Sequence, residues 1–321
     1  MIVSASRRTD IPAYYSDWFF RRLQEGDVLV RNPMNARQIW RVSLSRTVVD
    51  GIVFWTKNPA PMLERLGELE AYPFYFHFTL NAYGREVEPN VPAKNEVLVP
   101  VFQKLSARVG KERVVWRYDP IFLSDTYSLE YHTRAFEKLA RALSGYTEEC
   151  IVSFLDLYHN TASRMHPLRP IGETAAQQLE ILCRFAETGR KYGIKLSTCA
   201  EKIDARALGV APAHCIDRTR LERIGGFRLS VGKDQNQRPE CGCAASVDIG
   251  SYHTCPHGCL YCYANAGPAV AKKNFQRHDP SAPLLFGEVG PEDTVKERRM
   301  TSCKEIQTSL FDVEMEKGPG S

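Results

Sequence analysis

The sequence predicts an α/β protein, a full or partial parallel β/α (TIM-like) barrel with a C-terminal Cys-rich segment, and three patterns predict it. Short runs rich in β-branched and aromatic residues, at 2–5, 51–55, 74–80, 113–117, 150–155 and 195–198, read as strands buried on both faces. Between them, 17–24, 60–70, 97–107, 129–143 and 173–192 carry apolar residues at three- and four-residue spacing, the period of a helix. Strands alternating with helices imply a parallel sheet, and no G-x-G-x-x-G follows a strand to favour an open dinucleotide-binding sheet over a barrel. The third pattern is a change of texture near residue 238, where the chain turns to Cys, Gly and Pro. The expected division is a barrel at 1–237, a Cys-rich segment packed on it at 238–300 and a flexible tail at 301–321.

A chain of 321 residues with 43% hydrophobic content can bury a core without covalent staples. No apolar signal segment follows Met1 and no stretch is long enough to cross a membrane, so the ten cysteines read as metal ligands and core residues in a reducing cytoplasm. The net charge of +4, from 42 basic and 38 acidic residues, says little about partners. Local clusters say more: Arg206, Arg218, Arg220, Arg223 and Arg228, then Lys272, Lys273, Arg277, Lys296, Arg298 and Arg299, form either a solvated face or a surface for nucleic acid.

In a parallel barrel the C-terminal ends of the strands build the active site. Here those ends are polar: Arg7 and Asp10 after the first strand, Lys57 after the second, Arg117 and Asp119 at the fourth, Glu201 after the sixth. Charged groups from separate strand ends would meet at one mouth, as substrate-binding and catalytic residues or as salt bridges tying loops together.

The run Cys255-Pro256-His257-Gly258-Cys259-Leu260-Tyr261-Cys262 spaces three cysteines as C-x3-C-x2-C. Three thiolates can hold three irons of a four-iron cluster and leave the fourth open, whereas four-cysteine ligation is usual for clusters that only carry electrons. A zinc knuckle using His257 is the alternative. Cys199, Cys215, Cys241 and Cys243 complete a second set of four, suited to a second 4Fe-4S cluster, to zinc, or to a plain buried core.

The segments S-A-S-R-R-T-D-I-P, R-N-P-M-N, F-W-T-K-N-P, W-R-Y-D-P, T-C-A-E and C-G-C…D-I-G…C-P-H-G-C-L-Y-C-Y-A-N resemble a bacterial family known as a domain of unknown function, DUF1848, over nearly the whole chain. The three-cysteine motif with its aromatic neighbour Tyr261 is also similar to that of radical S-adenosylmethionine (SAM) enzymes of the spore photoproduct lyase group. There the motif follows the first strand; here it lies near the C-terminus, and Gly287-Glu288 is the nearest counterpart of the Gly-Gly-Glu that holds SAM. This second resemblance implies a 4Fe-4S cluster on Cys255, Cys259 and Cys262, with Tyr261, Tyr263 and Asn265 beside bound SAM. It also implies an external electron donor and a 5′-deoxyadenosyl radical acting on an unidentified substrate, with nucleic acid a candidate. The rival expectation is a non-catalytic module, an iron–sulfur electron carrier or zinc-stabilised scaffold that binds nucleic acid or a clamp through its tail. In the tail, Gln307, Leu310 and Phe311 resemble the pentapeptide by which bacterial repair proteins dock on the sliding clamp, with packing of the tail on its own domain as the alternative.

Overall fold

The computed structural model describes residues 1–305. The chain opens with β1 (Ile2–Ala5), buried throughout, followed by α1 (Ile11–Tyr14) and α2 (Ser16–Glu25). Next, β2 (Asp27–Arg31) and β3 (Gln38–Ser43) pair antiparallel and stand apart from the main sheet. In β3 only Ile39 and Val42 are buried, and in β2 the buried run is the three residues Val28, Leu29 and Val30 between Asp27 and Arg31.

The main sheet then assembles in chain order. To β1 are added β4 (Gly51–Thr56), β5 (Phe74–Thr79), β6 (Val114–Ile121), β7 (Glu149–Phe154), β8 (Lys195–Thr198) and the short β9 (Ala211–Pro212), every pair parallel. On the other side of β1 lies β10 (Ser246–Asp248), three residues contributed by the Cys-rich segment. β11 (Thr294–Glu297) returns to pair with β3. The eight-stranded order is β10-β1-β4-β5-β6-β7-β8-β9, and the described residues show no pairing between β9 and β10. The sheet is therefore a large parallel one consistent with a partial TIM-like arrangement, and the expected full barrel is corrected to that extent.

Two-residue periodicity sorts the strand side chains onto two faces. Phe54, Phe76, Trp116 and Val152 face the helices, where α3 (Val99–Val109), α4 (Leu129–Leu143) and, after α5 (His159–Met165), α6 (Ala175–Tyr192) bury their apolar stripes. Phe136 of α4 stacks between Trp116, at 4.8 Å, and Phe185 of α6, at 3.9 Å. Each such buried ring contributes about 1.5–3 kcal/mol. The expected helix at 60–70 winds instead as a 3₁₀ segment, Ala60–Leu69, with Pro61 in its first turn, while still burying Met62, Leu63, Leu66 and Leu69.

On the opposite face Ile2, Val53, Tyr75, Val115 and Ile151 form a second core. It is filled by Leu221 of α7 (Arg218–Gly225), by Cys215 and Ile216, and by Cys241 and Cys243. The Cys-rich segment thus plugs the concave side of the sheet, and α8 (Pro268–Gln276) follows it. Continuing the alternation along β6 places Arg117 and Asp119 on this concave side, one and two steps beyond Val115 toward the C-terminal end. Among the described residues no helix is long and apolar enough to cross a membrane.

Candidate functional site

A cavity of about 330 Å³ opens at the C-terminal ends of β1, β4, β6, β7 and β8. Arg7, Asp10, Lys57, Arg117 and Asp119 line it, together with all seven cysteines Cys199, Cys215, Cys241, Cys243, Cys255, Cys259 and Cys262 and the rings of Tyr261 and Tyr263. Residues from opposite ends of the chain meet here because β10 pairs with β1. Asp248, the last residue of β10, accepts hydrogen bonds from Ser4 Oγ (2.7 Å), Ser6 Oγ (2.7 Å) and the Arg7 backbone N–H (2.8 Å). Gly250 passes so close that an added Cβ would lie 2.0 Å from Ser6 Oγ.

The loop from Cys255 to Cys262 is tied to the sheet through polar side chains. Asp10 caps α1 by accepting from the Ala13 N–H (3.0 Å), and its other oxygen accepts from the Lys57 N–H (2.7 Å) and faces His257 Nε2 at 2.8 Å. His257 Nδ1 lies 3.0 Å from the Tyr14 hydroxyl. With the proton on Nε2, the ring donates to Asp10 and accepts from Tyr14. Gly258 turns the loop with φ +72°, a left-handed conformation suited to glycine.

Lys57 is buried and donates to Glu88 at 2.7 Å. Glu88 also pairs with Lys94 and accepts from the Tyr261 hydroxyl. Burial alone would push the Glu88 carboxyl up, but Lys57 and Lys94 outweigh it and bring it down to about 2. Arg117 is neutralised in the same way: Nε donates to Asp119 at 2.9 Å, Nη1 to Cys215 Sγ at 2.9 Å, and Asp119 in turn accepts from the Ser153 hydroxyl.

Arg7 is different. Its guanidinium lies 5.5 Å from the Trp55 ring centre, its Nη1 is 3.7 Å from Asp234, and its buried Nη2 has no hydrogen-bond partner. The hydroxyl of Thr9, another residue of the lining, is also buried and has none either. The lining carries five cationic side chains (Arg7, Arg8, Lys57, Arg117, Arg238) and three carboxylates (Asp10, Asp119, Asp156), with Asp234, Asp248 and Glu88 beside Arg7, Arg8 and Lys57.

Two expected site residues stand outside the lining. Glu201 accepts from the Phe154 N–H at 2.9 Å, and burial, helped by Asp156 and Asp119, raises its carboxyl to about 7. Asn265 donates to the Cys255 carbonyl at 2.9 Å and braces the loop from behind. Gln307, Leu310 and Phe311 lie outside the described residues. The first basic cluster is largely paired within the protein: Arg220 with Glu149 at 2.6 Å, Arg223 with Glu148 at 3.0 Å. The sequence reading passed over Glu88, Asp248 and Tyr14, whose roles depend on partners 31, 244 and 243 residues away. The D-I-G at 248–250 was the one visible signal among them.

The metal expectations are corrected. Among the described residues no group of three or more His, Cys, Asp or Glu side chains is arranged to hold a metal ion. The expected 4Fe-4S cluster on Cys255, Cys259 and Cys262 and the second cluster or zinc on Cys199, Cys215, Cys241 and Cys243 are both overturned. With them go the SAM site at Tyr261, Tyr263 and Asn265, the radical enzyme, and the electron-carrier and zinc-scaffold alternatives, all of which required a metal centre.

The thiols still make contacts of their own. Cys199 and Cys215 bring their sulfurs to 3.2 Å, and Cys243 Sγ accepts from the Ile216 N–H at 3.4 Å. Cys241 is lowered to about 7, chiefly by a hydrogen bond from Cys243 and against the effect of burial.

A concave site at the strand ends of a parallel β/α sheet defines the class of protein: an α/β protein with a polar, thiol-lined cavity. The chain belongs to the family described as "Domain of unknown function (DUF1848)", whose sequence profile matches residues 2–264. No curated protein matches it. Among solved structures it is similar, at 10% identity and a TM-score of 0.27, to a protein from Bacteroides thetaiotaomicron assigned as an alpha-L-fucosidase, across 73% of this chain and 83% of that one.

Proposed function

We propose that the cavity binds a small anionic organic molecule, with Arg7 and Thr9 holding its carboxylate or phosphate. One observation carries this reading: Arg7 Nη2 and Thr9 Oγ1 are both buried without partners, and both belong to residues that line the same cavity. An unpaired buried donor costs about 1–3 kcal/mol, more when charged, so an acceptor arriving there recovers what the empty site forfeits. Lys57 and Arg117 are already matched closely by Glu88 and Asp119, whereas Arg7 meets Asp234 only at 3.7 Å and keeps one nitrogen without a partner. Asp10, His257 and Tyr14 then form a hydrogen-bonded chain that reaches the cavity at Asp10 and His257 and can pass a proton to or from the ligand.

Trp55 beside Arg7 provides the readout. Titrating inorganic phosphate, small dicarboxylates and a short single-stranded oligonucleotide against tryptophan fluorescence is expected to show saturable, salt-sensitive binding of at least one anion. Arg7→Gln should weaken that binding by about 1.5–3 kcal/mol, the worth of a hydrogen bond to a charged group. The oligonucleotide tests the nucleic-acid expectation, for which the paired rings of Tyr158 and Tyr263 (centroids 5.7 Å apart) and nearby Arg238 offer a surface suited to stacking. Equal binding by the wild type and Arg7→Gln would refute the assignment.

A further inference from the structure

We propose that Cys199 and Cys215 form a dithiol that exchanges with an anionic low-molecular-mass disulfide held in the cavity. The substrate class rests on the anion-binding reading above; the dithiol rests on separate geometry. Cys199 follows β8, and Cys215 lies three residues past β9, its neighbour in the sheet. Their sulfurs are 3.2 Å apart and both line the cavity. A disulfide requires about 2.05 Å, so the two sulfurs must approach by roughly a further 1 Å. Cys199 is partly accessible while Cys215 is buried, which assigns attack to the first and resolution to the second. Arg117 Nη1, 2.9 Å from Cys215 Sγ, stabilises the thiolate that the resolving step needs.

The chemistry balances without a metal. The Cys199 thiol gives up its proton as its sulfur attacks one sulfur of the bound disulfide, whose S–S bond breaks, and the thiolate that leaves takes up that proton. Cys215 then attacks Cys199 Sγ in the mixed disulfide, releasing the second thiol and closing the Cys199–Cys215 bond. Two electrons pass from protein to substrate, one disulfide becomes two thiols, and an external dithiol restores the pair.

The test uses the full chain, reduced and freed of reductant without air, then exposed to oxidised glutathione as the anionic disulfide probe and quenched by alkylation. Peptide mass spectrometry is expected to find Cys199 linked to Cys215 with two equivalents of reduced glutathione released. Cys215→Ser should stop at a mixed disulfide on Cys199. Recovery of both cysteines fully alkylated, while the more accessible Cys183 has reacted, would overturn the dithiol. A neutral disulfide, bis(2-hydroxyethyl) disulfide, separates the two readings. Oxidised glutathione should react about tenfold faster with the wild type and lose that advantage in Arg7→Gln. Equal rates in the wild type would overturn the anionic selectivity while the linked peptide still reports on the dithiol.

Discussion

Asp10 and His257 stand 247 residues apart in the chain and 2.8 Å apart in the fold. That contact fixes the Cys-rich loop over the sheet, because Asp10 simultaneously caps α1 and accepts from the Lys57 N–H at the end of β4. His257→Ala leaves Asp10 and the Tyr14 hydroxyl short of a partner. It should destabilise the protein by about 1–3 kcal/mol, measured as a lowered urea midpoint at constant slope.

Glu88 links acid stability to the site. Its folded-state value, about 2 against an ordinary 4.5, means that the folded protein holds the charged form more strongly than the unfolded chain does. The stabilisation is complete above pH 4.5 and is lost as pH falls toward 2, an amount of order 3 kcal/mol. Glu88→Gln should flatten this part of the stability profile. It should also cost about 3–5 kcal/mol at pH 7, because Lys57 is left buried without its counter-charge. Urea denaturation at pH 3, 5 and 7 on both proteins checks the two effects.

Glu201 has the opposite sign. Its carboxyl is raised to about 7, so the folded protein binds its proton more tightly than the unfolded chain. Stability is therefore lost as pH rises from about 4.5 through 7. Glu201→Gln keeps an oxygen to accept the Phe154 N–H and removes the ionisation. Relative to the wild type, its denaturation midpoint should improve between pH 5 and pH 8; an unchanged difference would show that Glu201 is already ionised at pH 5.

Which parts of this were readable from sequence follows from where the information lies. Residues 51–55 and 74–80 announced β4 and β5 because both faces of those strands are apolar, and burial on both faces is a local property. β10 escaped notice because Ser246, Val247 and Asp248 form a strand only by pairing with β1, and nothing within three residues encodes that. The convergence of Arg7, Asp10, Lys57, Arg117 and Asp119 was legible, since strand ends on one side of a parallel sheet must meet. Glu201 and Asn265 fell just outside the lining, because a residue's offset from its strand end does not set which way a loop side chain turns. The cysteines were located correctly and interpreted wrongly. Spacing along a chain places sulfurs near one another, but whether they converge as ligands depends on rotamers and burial that the spacing leaves open.

The location of a bound anion tests the central claim most directly. In crystals grown with phosphate, or with whichever anion binds best in solution, the account predicts density within hydrogen-bond distance of Arg7 Nη2 and Thr9 Oγ1, the two buried donors now without partners. Density confined to the protein surface, or an anion seated on Lys57 or Arg117 with Arg7 untouched, would contradict it.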